Sequence, residues 1–281
     1  MIVEKFKYRA TKLYRITKLQ IENLKLKLFY RNKNNLLFEI VTKNRNYLTS
    51  FDYFLSDTNY KKNNYGIQKR IFKDLNTPIK QFPTYSDLIC FLYEKKFKIN
   101  LNYLEIGCSV LKNVLQIKNY VNNANVVCYD INKINPDLEN LYFTEKNNNT
   151  TKYFKGDVLS KKDSEIFHNM MNIKYNFIFS DALHEPDAVY SEFENIYKDS
   201  LDSEFIIYYD DLDFPGLKNT VKKIRRELIK SFEFVNFYTF KVYGWIGQHE
   251  SLHLNGILTN IDLQKVLDES KIKIYKFKKI I

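Results

Sequence analysis

The chain has 281 residues, of which 44% are hydrophobic and 16% aromatic, and its formal net charge is +11. This composition excludes an intrinsically disordered chain, and the length allows one large domain with a sizeable core plus an extension. The Lys and Arg residues are scattered and not gathered into one basic block, so the charge alone does not indicate a nucleic-acid-binding protein.

Cysteine use and hydropathy predict a cytoplasmic protein. Cys90, Cys108 and Cys128 have no CxxC spacing, which indicates reduced thiols and no structural zinc. No stretch is long and apolar enough to span a bilayer, and the amino terminus lacks the apolar core of a secretory signal. We therefore expect a soluble cytoplasmic protein without membrane contact.

Residues 1–83 differ in kind from the rest and predict a small amino-terminal extension or subdomain. Leucines alternate with lysines between Leu24 and Leu28, a polar break follows, and Leu36 to Val41 resumes as an apolar run. This pattern predicts a β-hairpin. The polar stretch from Lys61 to Tyr65 predicts a loop.

A strand, a glycine turn, a helix and a second strand follow a helix that Thr84 or Ser86 can cap. The first strand ends in Glu105-Ile106-Gly107, and the second ends in an acid, Asp130. The helix between them has its apolar residues at Val110, Val114, Leu115 and Val121. Together these elements predict half of a nucleotide-binding α/β unit, because the glycine lets the backbone approach a ligand and the acid can accept hydrogen bonds from ribose hydroxyls.

The rest of the chain continues the alternation of strands and helices. Predicted strands are Lys152 to Gly156, Tyr175 to Phe179 and Phe205 to Tyr209, and predicted helices begin at Pro136, near Ile166, at Pro186 and at Leu217. Phe232 to Phe240 and His253 to Thr259 predict an antiparallel edge pair, followed by a short helix near Leu263 and an alternating tail from Lys271 to Tyr275. The prediction is an α/β, Rossmann-like, mostly parallel sheet of seven strands with an antiparallel edge hairpin.

Acids follow two strands that lie side by side in such a sheet. Asp181 ends the fourth strand, and Asp210 and Asp211 end the fifth. Clustered carboxylates repel one another unless a cation neutralises them, and an all-oxygen set suits Mg²⁺ or another hard divalent cation. The sequence therefore predicts a metal site formed by these acids.

Residues 84–281 resemble the class I S-adenosylmethionine-dependent methyltransferases. The first motif of that family, an acid, any residue and glycine, corresponds to Glu105 and Gly107, and Asp130 corresponds to the ribose acid. Leu111 stands where the family usually has another glycine. The resemblance implies S-adenosylmethionine as cofactor, with Asp157 near the adenine amine. The implied cofactor-binding residues are Glu105, Gly107, Cys108, Ser109, Asp130, Ile131, Gly156, Asp157 and Asp181.

A narrower resemblance is to the metal-dependent small-molecule O-methyltransferases, which include catechol O-methyltransferase and sugar methyltransferases. It implies that Asp181, Asp210 and Asp211 hold one divalent cation. It also implies that His184, three residues after the first metal acid, removes the proton of the acceptor hydroxyl, with Asp181 also in the catalytic set. Some sugar-acting relatives instead have an aspartate base at the position of Leu183. The expected acceptor is a small hydroxylated molecule, with a sugar or sugar nucleotide as the leading candidate.

Several alternatives stay open from the residues. Asp211 or Asp213 could cap the helix near Phe214, and His184 could be structural. Three residues, Trp245, His249 and His253, fit loop or core positions better than a substrate pocket. The basic helix face from Lys222 to Arg226 suggests a nucleic-acid methyltransferase as the runner-up, although an Asn/Asp-Pro-Pro-Tyr segment is absent from the sequence. A catalytically inactive binding protein of this fold, or a homo-oligomer, is also compatible with the sequence.

Overall fold

The computed structural model describes residues 36–50, 83–109, 111–134, 136–243, 252–269 and 277–280, with single positions at 13, 14, 17, 21 and 24. Within these residues, no helix has both the length and the apolar character needed to cross a membrane. The predicted loop at Lys61–Tyr65, the alternating tail at 271–275, and Trp245 and His249 lie outside the described residues.

The helices alternate with strands along the described chain. They are α1 (Leu36–Thr49), α2 (Tyr85–Leu92), α3 (Lys112–Tyr120), α4 (Pro136–Phe143), α5 (Lys161–Met171), α6 (Pro186–Glu192), α7 (Leu217–Leu228) and α8 (Leu263–Glu269). A π-helical segment, Tyr93–Phe97, extends α2, and a second, Phe193–Tyr197, extends α6. The strands are β1 (Leu101–Ile106), β2 (Ala124–Asp130), β3 (Thr150–Lys155), β4 (Tyr175–Ser180), β5 (Leu201–Tyr209), β6 (Asn236–Val242), β7 (His253–Thr259) and β8 (Lys278–Ile280).

All eight strands form one sheet in the order β3-β2-β1-β4-β5-β7-β6-β8. The strands β3, β2, β1, β4 and β5 pair in parallel with one another, whereas the pairs β5–β7, β7–β6 and β6–β8 are antiparallel. The predicted fold class is confirmed, with one correction. The sheet has an eighth strand at Lys278–Ile280, which pairs with β6 beyond the predicted edge hairpin.

Helices cover both faces of the sheet, which explains the continuous apolar runs of its central strands. On one face, Tyr103, Phe177 and Tyr208 are buried against α1, α2 and α3. On the other face, Leu104 and Ile207 are buried together with apolar residues of α5, α6 and α7.

The prediction of a β-hairpin near the amino terminus is wrong for the residues of it that the structure describes. Residues Leu36 to Val41, predicted as a strand, are the start of α1. The buried residues of α1 include Leu37, Ile40, Val41 and Asn44, which have the spacing of one helical face. Most of the other predicted strand, between Leu24 and Leu28, lies outside the described residues.

A buried ion pair holds α1 against α2. Arg45 Nη1 donates to Asp87 Oδ1 at 3.1 Å, and Asn44 Nδ2 donates to the same oxygen at 2.8 Å. The backbone N–H of Thr84 donates to Asp87 Oδ2 at 2.8 Å, and Thr84 is the N-cap of α2, as predicted. Helix α1 therefore shares a core with the sheet, and a domain boundary at residue 83 stays a prediction.

The other predicted helices and strands are confirmed, with ends that differ by a few residues. The largest difference is in β6, which begins at Asn236 and not at Phe232. Phe232 instead ends the turn after α7, where its N–H donates to the Leu228 carbonyl at 3.0 Å and its ring packs on Phe205 with centroids 4.8 Å apart.

Candidate active site

Backbone hydrogen bonds carry the sheet pairing into the loops at its carboxyl edge. Gly107 N donates to Tyr129 O at 2.9 Å, and Gly156 N donates to Asp130 O at 2.8 Å. On the other side of β1, Asp181 N donates to Ile106 O at 2.9 Å. The loops after β1, β2, β3 and β4 are therefore fixed beside one another at one edge.

The turn after β1 requires a glycine for two reasons. Gly107 has a φ of +86°, a conformation that L-residues with a side chain adopt at a cost. A Cβ atom at this position would lie 2.3 Å from Asp181 O and 2.5 Å from Ala182 N. The turn and the loop after β4 therefore meet backbone to backbone.

Leu111 keeps the backbone shape of this turn although it replaces the usual glycine. Its φ is +57°, in the left-handed region, and Ser109 also has a positive φ of +45°. The Leu111 side chain is fully buried in the core on the α2–α3 side of the sheet. It does not line the cavity at the carboxyl edge, so the substitution leaves that cavity open.

A cavity of about 370 Å³ lies at this edge. Seven of the nine residues predicted to bind the cofactor line it, namely Gly107, Ser109, Asp130, Ile131, Gly156, Asp157 and Asp181. Sequence reasoning missed others that also line it, namely Ile106, Tyr129, Asn132, Val158, Leu159, Ala182 and Leu183. The sequence could have indicated these residues by their position alone, because each lies at the end of a predicted strand or in the loop that follows it.

The Asp130 carboxylate is held in a fixed orientation at the tip of β2. Its Oδ2 accepts the Ser109 N–H at 2.8 Å, and its Oδ1 accepts the Asn132 N–H at 2.9 Å. Oδ1 also accepts from Asn132 Nδ2 at 3.3 Å, so the remaining lone pair is on Oδ2, through which Asp130 can accept a hydrogen bond from a diol. The apolar side chains of Ile131 and Leu159, 60% and 53% exposed, stand at the cavity and can cover the faces of a planar ring.

Asp157 is turned partly toward its own loop. Its Oδ1 accepts the Leu159 N–H at 2.9 Å, while its own N–H donates to Asp163 Oδ2 at the same distance. The loop after β3 is therefore preorganised around two carboxylates beside the cavity.

Glu105 and Cys108 lie behind the turn and not on the cavity surface. Glu105 Oε2 accepts hydrogen bonds from Tyr103 Oη at 2.6 Å and from Asn113 Nδ2 at 2.8 Å. Burial raises the pKa of Glu105 to about 8, an effect that these two hydrogen bonds oppose. The Cys108 thiol donates to the Glu105 carbonyl at 3.3 Å, and burial raises its pKa. In this structure both residues support the turn, and direct contact with a cofactor stays a prediction.

Two histidines and two aspartates form a cluster beside the cavity. His184 Nε2 lies 3.3 Å from Asp181 Oδ1, and His184 Nδ1 lies 4.0 Å from Asp211 Oδ2. His253 Nδ1 lies 2.6 Å from Asp211 Oδ1. The His184 ring also stacks on Phe214, with centroids 5.1 Å apart. Asp181 lines the cavity, so it joins this cluster to the predicted cofactor site.

The charged side chains of the cluster and the neighbouring Asp210 shift one another's pKa values. The Asp181 carboxylate raises the pKa of His184, and the Asp211 carboxylate raises the pKa of His253. Burial acts to raise the pKa of Asp211, but the hydrogen bond and charge of His253 outweigh it and lower that pKa. Burial and the charges of Asp181 and Asp211 raise the pKa of Asp210 to about 8.

The predicted metal ligands have suitable donor chemistry but do not form a metal site in this arrangement. Burial is the main cause of the raised pKa of Asp210, and the charges of Asp181 and Asp211, which a cation would offset, add to it. However, His253 binds Asp211, and His184 lies against Asp181. No group of three or more His, Cys, Asp or Glu side chains among the described residues is arranged to hold a metal ion. Metal binding by Asp181, Asp210 and Asp211 therefore stays a prediction.

The structure also answers two of the alternatives left open by the sequence. Neither Asp211 nor Asp213 caps α7, because Gly216 is its N-cap and Asp213 Oδ2 accepts the Leu254 N–H at 2.7 Å. His253 is not a loop or core residue. It begins β7, and the antiparallel pairing with β5 brings it beside Asp211.

A second cavity, of about 400 Å³, lies at the opposite edge of the sheet. Its lining includes Lys96, Lys98 and Glu204. Four of its charged side chains form ion pairs, with Lys96 Nζ 3.3 Å from Glu204 Oε1 and Lys98 Nζ 3.0 Å from Glu94 Oε2. Among the described residues that line it, no buried side-chain polar atom lacks a hydrogen-bond partner, so the site at the carboxyl edge is the better candidate.

The strand order, with antiparallel strands beyond β5 and a ligand-sized cavity at the carboxyl edge, is that of a Rossmann-like α/β fold with an antiparallel edge. No family model and no curated protein matches the chain.

Solved structures of this fold match at low sequence identity. An O-methyltransferase from Bacillus cereus, in complex with S-adenosylhomocysteine (SAH), has a TM-score of 0.45 at 16% identity, covering 76% of this chain and 99% of that one. The O-methyltransferase TomG from Streptomyces achromogenes has a TM-score of 0.45 at 11% identity, covering 75% and 96%. Spermidine synthase from Thermotoga maritima has a TM-score of 0.40 at 14% identity, covering 69% and 66%. The matches thus include more than one activity, and they concern the fold alone.

Proposed function

We propose that this protein is an S-adenosylmethionine-dependent methyltransferase that acts on a hydroxyl of a small molecule. One observation carries the proposal. Asp181 lines the cavity that Gly107 and Asp130 also line, and it contacts His184, a base outside that cavity's lining. Asp181 therefore lies both at the proposed cofactor site and next to the proposed proton acceptor, His184.

The cavity residues supply the contacts that S-adenosylmethionine needs. Asp130 accepts a hydrogen bond from a ribose hydroxyl, and its position is fixed by Ser109 and Asn132. Ile131 and Leu159 cover the adenine, and Asp157 accepts from its exocyclic amine. The turn at Gly107 allows the methionine portion to lie close to the backbone.

His184 is proposed to take the proton of the acceptor hydroxyl. Its Nε2 is buried and has no hydrogen-bond partner in the described part of the chain, because the 3.3 Å contact with Asp181 lacks hydrogen-bond geometry. S-adenosylmethionine, held by the cavity residues, would supply the methyl group and leave as SAH, and His184 would take the proton that the acceptor oxygen loses as it gains the methyl group. The products are a methyl ether and SAH.

A divalent cation at Asp181, Asp210 and Asp211 is proposed separately, as the sequence resemblance predicts. The position of Asp181, Asp210 and Asp211 at the ends of the neighbouring strands β4 and β5 supports it. The contact between His253 and Asp211 opposes it. If bound, Mg²⁺ would supply a Lewis acid for the hydroxyl. The test compares methyl transfer after chelator treatment with transfer after Mg²⁺ is restored. Equal rates would remove the cation from the proposal and leave the His184 role unchanged.

The acceptor class and the setting of the protein are also proposals. A sugar or sugar nucleotide as acceptor rests on the resemblance alone. A cytoplasmic location rests on the cysteine use and hydropathy of the sequence, and a homo-oligomer is compatible with the sequence. The runner-up, a nucleic-acid acceptor, rests on the basic face of α7. Two cations of the basic helix are already engaged, with Lys223 Nζ 3.5 Å from the Tyr190 ring centroid and Arg225 Nε donating to Val235 O.

The test of the proposed function is transfer of a labelled methyl group from S-adenosylmethionine to a panel of hydroxyl compounds, beginning with sugars and sugar nucleotides. We expect His184→Gln to lower kcat by roughly 10²- to 10⁴-fold, with cofactor affinity unchanged. His168→Gln is the matched control, because His168 contacts Asn195 O at 2.8 Å and does not itself line the cavity. Full activity of the His184 variant would exclude it as the base.

A further inference from the structure

Glu192 is a buried acid beneath the candidate active site for which the proposed reaction has no use. It is the last residue of α6, at the point where the helix widens into the π-helical segment Phe193–Tyr197, and it is 0% exposed. Burial of a carboxyl group is costly unless its oxygens are satisfied. Glu192 is only half satisfied, because its Oε1 is buried without a hydrogen-bond partner among the described residues.

The other oxygen of Glu192 binds the end of β4. Ser180 Oγ donates to Glu192 Oε2 at 2.6 Å. Ser180 is the last residue of β4, its carbonyl accepts the Asp210 N–H at 3.2 Å, and the next residue is Asp181. Glu192 thus holds Ser180, which is bonded to Asp181 through the peptide and to Asp210 through a backbone hydrogen bond.

The loop between β4 and α6 is linked to Glu192 at one end by the Ser180 hydrogen bond and at the other end through helix α6. It runs from Asp181 to Glu185 and contains His184, and α6 begins directly after it at Pro186. The hydrogen bond between Ser180 and Glu192 closes this segment, because it connects the residue before the loop to the last residue of the helix after it. The position of His184 therefore depends on that closure.

Packing alone does not fix the loop. A small cavity of about 10 Å³ lies below it, lined by Ser180, His184 and Asp210 among apolar residues. A space of this size corresponds to about one water molecule, so the side chains beneath His184 do not fill it completely. The hydrogen bond from Asp181 N to Ile106 O fixes the start of the loop. The contact between Glu192 and Ser180 adds a second polar constraint beneath His184.

We infer that Glu192 is a positioning residue, which holds Asp181 and His184 in place through its hydrogen bond with Ser180. The effect on turnover rests on the proposed function, whereas the effect on the His184 side chain does not. Because Glu192 and Ser180 act as one unit, removing either should have the same effect as removing both.

The variants are Glu192→Ala, Ser180→Ala, the double variant and Glu192→Gln. The matched control is Glu194→Ala, since Glu194 lies two residues away, is exposed, and pairs with Lys198 at 3.1 Å. We expect Ser180→Ala and Glu192→Ala each to lower kcat by roughly 10- to 100-fold, with SAH affinity unchanged, and the double variant to be no worse. Glu192→Gln retains an oxygen that accepts from Ser180 and should restore most of the activity. Unchanged kcat in Ser180→Ala, or multiplicative losses in the double variant, would overturn the inference.

Nuclear magnetic resonance of the histidine side chains gives a readout that needs no acceptor. The sequence has four histidines, so the His184 imidazole signal can be assigned by comparison with His184→Gln. We expect this signal to shift in Ser180→Ala and to stay in place in Glu194→Ala. An unshifted signal would overturn the positioning role even if the protein is a methyltransferase. A shifted signal in a protein that does not bind SAH would support the positioning role while refuting the proposed function.

Discussion

Replacement of Gly107 by alanine tests how closely the turn after β1 meets the loop after β4. The new Cβ would lie 2.3 Å from Asp181 O and 2.5 Å from both the N and Cα atoms of Ala182. All three are backbone atoms, so rotation of a side chain cannot relieve the contact. The loop that carries Asp181 must move away by roughly 1 Å to reach van der Waals distance.

Two energies add in this variant. The positive φ of +86° costs about 1–2 kcal/mol for a residue with a side chain. Overpacking against the backbone costs a further 1–3 kcal/mol or so. We therefore expect Gly107→Ala to lower the free energy of unfolding by roughly 2–5 kcal/mol and SAH affinity by roughly 10- to 100-fold. Urea unfolding and calorimetric titration measure the two effects.

Gly216→Ala is the matched control for the conformational cost. Gly216 has nearly the same φ, +87°, but its Cβ would have one contact below 3 Å, with the Pro186 ring carbon Cγ at 2.8 Å. This variant should lose about 1–2 kcal/mol of stability for the positive φ and keep the affinity for SAH. If Gly107→Ala unfolds like Gly216→Ala and binds SAH like the unchanged protein, the argument about backbone contact is refuted.

Three further predictions concern the buried charges. Glu105 has a folded-state pKa of about 8 against an ordinary value of 4.5, so its contribution to stability is complete below about pH 4.5 and is lost as the pH rises to 8. Glu105→Gln should therefore flatten the decline of the unfolding free energy between pH 5 and 8, and an unchanged slope in urea titrations would contradict this. Arg45→Met leaves Asp87 buried without its cation and should lower the unfolding free energy by about 3–5 kcal/mol, whereas loss of the exposed Lys96–Glu204 pair should cost less than about 1 kcal/mol. His253→Leu removes the group 2.6 Å from Asp211 and should lower kcat roughly 10-fold or more without changing SAH affinity, and a change in affinity alone would contradict its place in the cluster.

The sequence was sufficient for the central strands of the sheet because they are buried on both faces, whereas the edge strand β8 was not predicted. Runs such as Val126–Tyr129 and Phe205–Tyr209 are apolar throughout, and the acids that follow them mark the carboxyl edge. The apolar run from Leu36 to Val41 was misjudged as a strand because a short run fits either period. Contacts distant in sequence, such as Arg45 with Asp87, show how α1 is held, and they cannot be read from periodicity.

The site residues that directly follow parallel strands were predictable from the sequence. Those that reach the site through contacts between elements distant in sequence were not. Gly107, Asp130 and Asp181 each follow a strand that sequence identified. His253 reaches Asp211 only through the antiparallel register of β5 and β7. Glu192 reaches Ser180 through the packing of α6, and its place in the sequence resembles that of any acid in an amphipathic helix.

Calorimetric titration of SAH into the purified protein tests the central claim most directly, because it needs no knowledge of the acceptor. We expect micromolar binding to the unchanged protein and at least roughly tenfold weaker binding to Asp130→Ala, which loses the ribose contact. Asp199→Ala, which removes an exposed carboxylate just before β5 at the opposite edge of the sheet, should bind as the unchanged protein does. Absence of binding to the unchanged protein, or equal binding to Asp130→Ala, would contradict the proposal that this cavity holds S-adenosylmethionine.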